Sequence, residues 1–81
     1  MTDKSIMTAQ EYGHIEMRLA QILDERQISR YALARRIDTR FEVIDRWYNG
    51  DMEKLDMDIL ARICYVLDCA VSDILVFKAA E

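Results

Sequence analysis

Few side chains in this sequence of 81 residues could carry out chemistry, and those few are far apart. The soft metal ligands are a single histidine, His14, and two cysteines, Cys64 and Cys69. The spacing of the cysteines matches no usual zinc motif, and the ligand count falls short of a structural zinc site. We therefore predict no metal site and interpret both cysteines as reduced thiols that pack as small apolar residues in a cytoplasmic protein.

Catalysis finds no support in the remaining side chains. The carboxylates are scattered, no glycine-rich phosphate loop is present, and no nucleophile stands beside a base at a recognisable spacing. We predict that the protein is not an enzyme and that it binds no cofactor.

Charge is distributed unevenly along the chain, and the middle third is basic. The formal net charge is −4, yet the segment from Arg26 to Lys54 holds seven basic and five acidic residues, a net charge of +2. The segments on either side each carry a net charge of −3. Because screening limits electrostatic interactions to about 8–10 Å, a local basic surface can contact phosphates although the whole chain is acidic.

The composition predicts one small helical domain without a membrane segment. Proline is absent, and Gly13 and Gly50 are the only glycines, which disfavours a sheet-rich fold with many turns. No stretch approaches the roughly 20 apolar residues of a membrane span, and the polar start is unlike a signal peptide. We predict a single domain over residues 13–78, a partly flexible extension at 1–12 and a tail at 79–81.

Three helix starts share one design, in which a capping residue follows an apolar residue. The caps are Ser29, Asp56 and Ser72, and each has an apolar residue four positions later that can staple the first turn. Apolar residues then recur at helical spacing in four stripes. These stripes are Ile15, Leu19, Ile22 and Leu23; Leu33, Ala34 and Ile37; Ile44, Trp47 and Tyr48; and Leu60, Ile63, Cys64 and Leu67.

The spacing of these stripes predicts an all-α fold of five helices, the last beginning near Asp73. Gly50 closes the third helix, which runs from about Arg40 to Asn49. Only Asp38 to Arg40 separate the second and third helices, so the two must cross steeply, as in a helix-turn-helix. His14–Met17 and Leu75–Lys78 alternate in polarity, and they either pair as a short antiparallel sheet or continue the adjacent helices.

The stretch ISRYALARRIDTRFEVIDRWYNG, residues 28–50, resembles the lambda-repressor-like (Xre/Cro-type) helix-turn-helix family. Downstream, LDMDILARICYVLDCAVSDIL resembles the fourth and fifth helices of that family, and the likeness extends over Ile15 to Leu75. It is strongest to a small single-domain subgroup in which WYN is followed by LDCxxxDIL. The matching positions are the pair Leu33 and Ala34, the inward Ile44 and Trp47, and the closing Asn49 and Gly50.

The resemblance implies a recognition helix that lies in the major groove of double-stranded DNA. Matched positions place Phe41, Glu42, Val43 and Arg46 on its groove-facing side. Arg46 would contact guanine, Glu42 would accept from a cytosine amino group and Val43 would touch a thymine methyl. Phe41 is expected to face outward, either to a base or to a protein.

Arg30 and Asn49 match family positions that contact phosphate, whereas Arg40 and Lys54 are phosphate candidates on chemical grounds alone. Trp47 and Tyr48 could stack on single-stranded bases, but the spacing of Trp47 from Ile44 favours a core position.

The sequence departs from the family pattern at the turn and on the recognition helix. Asp38 stands where glycine is usual, and Thr39 stands where an apolar residue is common. Arg40 replaces a serine or threonine cap, which leaves Thr39 as the alternative cap. Glu42 and Asp45 place negative charge on a helix that must approach phosphates.

Two functions follow as expectations. The first is a bacterial or phage transcriptional regulator, a repressor that binds a pseudo-palindromic operator as a homodimer with a dimer surface near Ile74 to Phe77. The second is a protein-binding module on the same fold, such as an antitoxin, an anti-repressor or a phage accessory factor, with little affinity for DNA.

Overall fold

The computed structural model describes residues 11–80 and contains the five helices that the sequence predicts, with a short sheet formed by the two ends. Residues 1–10 of the predicted extension and Glu81 of the predicted tail lie outside the described range. None of the described helices is long and apolar enough to span a bilayer. The elements are β1 (His14–Met17), α1 (Leu19–Arg26), α2 (Arg30–Arg36), α3 (Phe41–Asn49), α4 (Met57–Leu67), α5 (Val71–Ile74) and β2 (Leu75–Lys78).

One apolar core joins all five helices. Ten of its twelve buried members come from the stripes that the sequence predicts, and Ile59 and Ile74 join them. Trp47, which is 3% exposed, is a core residue as expected. Among residues 11–80 no polar or charged residue is buried with them. Association of these stripes is therefore driven by the removal of apolar surface from water. The core consists of Leu19, Leu23, Leu33, Ala34, Ile37, Ile44, Trp47, Ile59, Leu60, Ile63, Leu67 and Ile74.

Two of the three predicted caps are confirmed. The Ser29 hydroxyl accepts from the Ala32 amide at 3.0 Å, and the Asp56 carboxylate accepts from the amides of Asp58 and Ile59 at 2.9 and 3.2 Å. These bonds satisfy amides that have no partner inside the first turn.

The third predicted cap, Ser72, is wrong because this residue lies within α5. The Asp73 carboxylate reaches back to accept from the amide of Ala70 at 2.8 Å, so α5 begins at Val71 rather than near Asp73. At the start of α3, Arg40 occupies the cap position and no side chain caps the helix. Thr39 does not replace it.

The first four helices end in the same motif, a Schellman turn. After α1, α3 and α4 the first residue beyond the helix takes a left-handed conformation, and after α2 the second one, Asp38, does so because Ile37 has a φ of −100°. In each, the next amide bonds to the carbonyl five residues earlier at 2.9–3.1 Å. Gly50 ends α3 in this way, as predicted. Gln27, Asp38 and Asp68 adopt the same conformation with side chains, which costs an L-residue roughly 1–2 kcal/mol.

The two ends of the described chain pair as an antiparallel sheet, which decides between the two interpretations of these segments. His14 pairs with Lys78, Ile15 with Phe77, and Met17 with Leu75. Ile15 therefore belongs to β1 and not to the buried face of α1, because α1 begins only at Leu19. The sheet also depends on Gly13, since a Cβ there would lie 2.2 Å from the Lys78 carbonyl oxygen.

The turn between α2 and α3 is held from two sides. Asp38 takes a φ of 57°, and the Thr39 amide donates to the Ala34 carbonyl at 2.9 Å. From α4, the Arg62 guanidinium donates to the carbonyls of Ile37 and Asp38 at 3.0 and 3.3 Å. The steep crossing of α2 and α3 thus depends on a residue more than twenty positions downstream of the turn.

Replacing Arg62 with methionine should lower the free energy of unfolding by roughly 1–2 kcal/mol, because the two carbonyls lose a charged donor while the apolar stem is kept. Urea unfolding followed by circular dichroism measures this loss. Arg35→Met is the matched control, since Arg35 is exposed on α2 and has no carboxylate within 4 Å among residues 11–80. Equal stability of the two variants would contradict the role of Arg62 in holding the turn.

Candidate nucleic-acid interface

Helix α3 divides its side chains among three stripes, because residues four and seven positions apart share a helical face. Ile44 and Trp47 point into the core. A second stripe faces the beginning of α2 and consists of Phe41, Asp45 and Tyr48. The third stripe consists of Glu42, Arg46 and Asn49, and all three residues are exposed.

The exposed stripe, Glu42–Arg46–Asn49, presents the functional groups that read base edges. Arg46 offers donors in a planar fork, Glu42 offers acceptors and Asn49 offers both. Within residues 11–80, neither Arg46 nor Glu42 has an ion-pair partner within 4 Å. An α-helix with its side chains is about 10–12 Å in diameter, so α3 can enter a major groove that is about 12 Å wide.

An open cleft of about 250 Å³ borders this stripe on one side, between α3 and the segment that leads to α4. Val43 and Arg46 line it from the helix, and Lys54 lines it from the opposite side. The fold therefore brings Lys54, a predicted phosphate contact, to the same cleft as two predicted base contacts. Val43 is only half-buried, so part of its side chain is open to a ligand in the cleft.

The sequence led us to expect that Phe41 faces outward, but its ring is partly covered. Its ring stacks on the ring of Tyr31, with centroids 4.1 Å apart and an angle of 23° between the planes. Phe41 is consequently half-buried, while Tyr31 remains 64% exposed. Sequence analysis missed Tyr31, because its position on the solvent side of α2 gives no periodic signal of an aromatic partner ten residues later.

Arg30 lies between the two helices and is surrounded by partners, which together we call the Arg30 cluster. Its guanidinium donates to the Asp45 carboxylate at 2.5 Å and lies 5.5 Å from the ring centroid of Phe41 and 4.7 Å from that of Tyr48. Such distances are within the range of cation–π attraction. Asp45 therefore does not present an unpaired negative charge on α3.

Tyr48 connects the Arg30 cluster to α1. Its hydroxyl donates to the Asp24 carboxylate at 2.9 Å, and this hydrogen bond raises the pKa of Tyr48 because only the neutral phenol can donate. Tyr48 thus serves an intramolecular contact, and its side chain is half-buried.

The basic residues of the middle segment have different tasks. The Arg26 guanidinium donates to the Leu67 carbonyl and so closes the end of α4, and Arg30 is held in its cluster. Arg40, Arg46 and Lys54 are exposed, and none has a carboxylate within 4 Å among the described residues. Beside the exposed stripe the structure thus offers the cations Arg40, Arg46 and Lys54, together with the carboxylates of Glu42 and of Asp56, which lines the same cleft.

The metal-ligand types do not converge in the part of the chain that the structure describes. No three residues of the types His, Cys, Asp and Glu lie close enough there to hold a metal ion. Cys64 and Cys69 meet at the end of α4, where partial burial raises the pKa of the Cys69 thiol. His14 lies at the start of β1.

Comparison with known proteins agrees with this geometry. The family model for the Cro/C1-type HTH DNA-binding domain matches residues 18–80. A candidate DNA-binding protein from Bacteroides fragilis has a similar solved structure, with a TM-score of 0.67 and 19% identity over 78% of this chain and all of that chain. The transcriptional regulator VanUg is also similar, with a TM-score of 0.66 and 18% identity over 95% of this chain and all of that chain. No curated protein matches the sequence significantly.

Proposed function

The chain belongs to the Cro/C1-type helix-turn-helix DNA-binding domain family, and we propose that it is a sequence-specific transcriptional regulator that reads duplex DNA through α3. The observation that carries the proposal is the exposed stripe Glu42–Arg46–Asn49. This stripe is the part of α3 that neither the core nor α2 covers. Its mixture of donors and acceptors suits base edges, which a uniformly basic surface would not distinguish.

The roles proposed for individual residues come from the family resemblance and from the chemistry of each side chain. Arg46 reads guanine by a bidentate contact and Glu42 accepts from a cytosine amino group, while Val43 reaches a thymine methyl from the cleft. Arg40, Asn49 and Lys54 border these residues and contact phosphates, and Arg30 does so from the start of α2. Phe41 touches the DNA with the edge of its ring, since one face is covered by Tyr31.

Repression is the mode of regulation that this surface supports most simply. A protein that occupies an operator blocks polymerase without any further contact, so no activating surface is required. The similarity to a Bacteroides fragilis protein supports a bacterial or phage origin. The protein acts by binding, and catalysis has no part in this function.

A protein-binding module on the same fold is the second candidate. It is motivated by the net charge of −4 and by Glu42, Asp45 and Phe41 on the presumed reading face, and the structure weakens the part played by Asp45 and Phe41. Asp45 is paired with Arg30, so the reading helix is less acidic than its sequence. Phe41 is stacked on Tyr31 and is a smaller protein-binding anchor than a free ring would be.

The operator is pseudo-palindromic, and the protein binds it as a homodimer whose half-sites lie about 10 base pairs apart. Ile74 is fully buried, so it cannot belong to a dimer surface as the sequence suggested. Phe77 and its cross-strand partner Ile15 are 59% and 61% exposed and form an apolar pair on the terminal sheet. This pair is the surface through which two copies associate, because burying it removes apolar area from water.

Replacing Arg46 with alanine should weaken binding to the preferred duplex by roughly 1–3 kcal/mol and relax the preference at one base pair. Fluorescence anisotropy with a set of single-base operator variants measures both effects. Lys78→Ala, which removes an exposed cation at the end of β2, is the control and should leave the base preference unchanged. If the affinity fell by the same factor for all duplex variants, Arg46 would contact a phosphate and would not read a base.

Replacing Phe77 with serine should shift the protein from dimer to monomer and weaken operator binding, while the fold is retained. Sedimentation velocity at several protein concentrations measures the association. Tyr65→Ser is the control, since Tyr65 is 87% exposed on α4 and lies outside the proposed surface. A variant at Phe77 that dimerises like the original protein would exclude this surface.

A further inference from the structure

The Arg30–Asp45 ion pair has a consequence for the affinity of the protein for DNA, and this consequence rests on the proposed duplex binding. The guanidinium and the carboxylate are joined at 2.5 Å, and their side chains remain 41% and 36% exposed. Arg30 is the first residue of α2 and Asp45 lies in the middle of α3, and Arg30 is also expected to meet a phosphate. Two anions can therefore bind the Arg30 guanidinium: the Asp45 carboxylate of the protein and a phosphate of the DNA.

A phosphate can take the place of the Asp45 carboxylate, because both are oxyanions that accept parallel hydrogen bonds from a guanidinium. Ion pairs that are this exposed contribute little to stability, so the pair can be exchanged when a stronger anion arrives. The phosphates of a duplex are such anions, since their charge density concentrates cations at the DNA surface.

The aromatic rings of the Arg30 cluster keep the guanidinium in place during this exchange. Phe41 and Tyr48 lie 5.5 and 4.7 Å from it and attract the cation whichever anion it holds. Phe41 is fixed in turn by its stack with Tyr31, and Tyr48 by its hydrogen bond to Asp24. The exchange therefore replaces one acceptor by another and does not require Arg30 to move.

We propose that Asp45 is an internal competitor of DNA, which occupies Arg30 in the free protein and is displaced by a backbone phosphate in the complex. Displacement costs the protein an ion pair and leaves the Asp45 carboxylate to attract a cation from solution. Because every duplex carries phosphates, this cost is the same for all sequences. Asp45 thus sets how tightly the protein binds, whereas Glu42 and Arg46 set which sequence it prefers.

The test is a double-mutant cycle with the full chain, using Asp45→Asn, Arg30→Gln and the double variant on the preferred duplex and on a random one. Asp45→Asn should tighten binding to both duplexes by the same factor, roughly twofold to fivefold, and should steepen the dependence on salt. In the Arg30→Gln background that gain should fall to the small gain that any lost negative charge near the DNA gives. Thermal unfolding of each variant verifies that the fold is kept.

Asp51→Asn is the matched control, because it removes the same charge from an exposed site just beyond α3 that has no cation within 4 Å among residues 11–80. Its gain should be smaller and should persist without Arg30. Weaker binding by Asp45→Asn would overturn the proposal and make the ion pair a support for Arg30. If Asp45→Asn tightened duplex binding equally with and without Arg30, the proposal would also be overturned. General repulsion between Asp45 and the phosphates would then explain the gain.

Failure of the proposed function would look different. If the original protein and all variants bound no duplex at any salt concentration, duplex reading itself would be excluded. If duplexes bind and only the coupling between Arg30 and Asp45 is missing, the proposed function stands and the competition is excluded.

Discussion

The turn between α2 and α3 is the constraint on which the rest of the structure depends. Its left-handed Asp38, the amide of Thr39 bonded to Ala34 and the Arg62 contacts to two carbonyls together determine the direction in which α3 leaves. With Ile44 and Trp47 in the core, the rotation of α3 about its own axis has no freedom left. The same two residues therefore decide which stripe is covered by α2 and which is exposed to a ligand.

This division of α3 explains how an acidic chain can present a DNA-binding surface. The net charge of −4 is a property of the whole sequence, but binding depends on the charges within a screening length of the phosphates. Around the exposed stripe the cations Arg40, Arg46 and Lys54 have no carboxylate partner in the described part of the chain, and Asp45 is paired. The acidic segments outside this region are expected to repel phosphates and so to limit adhesion to arbitrary DNA.

Much of the fold could be predicted from local signals. Ser29 and Asp56 predict the start of their helices, because their side chains accept hydrogen bonds from amides two or three residues later. Helical periodicity identifies most of the core. The sequence could not decide whether the terminal segments are strands. Each alternates in polarity over only four residues, which is too short to distinguish a strand from the end of a helix. The predicted cap at Ser72 is wrong because the Asp73 carboxylate, a stronger acceptor than a hydroxyl, binds the Ala70 amide and starts the helix earlier.

The candidate site was predictable in outline and not in its contacts. The family resemblance implied that Phe41, Glu42, Val43 and Arg46 face the groove and that Asn49 contacts a phosphate. The structure exposes Glu42, Arg46 and Asn49 and leaves Phe41 and Val43 half-buried. No local pattern could indicate that Tyr31 stacks on Phe41 or that Arg30 pairs with Asp45, because these contacts join different helices across the turn. These are also the contacts that decide how the acidic residues of α3 behave.

The measurement that tests the central claim most directly is selection of bound sequences from a random duplex pool by the purified protein, followed by sequencing. If the exposed stripe of α3 reads DNA as a dimer, the pool should become enriched in a pseudo-palindrome with half-sites about 10 base pairs apart. Weak retention that depends on salt but selects no sequence would contradict base reading. That result would favour a protein partner for this surface.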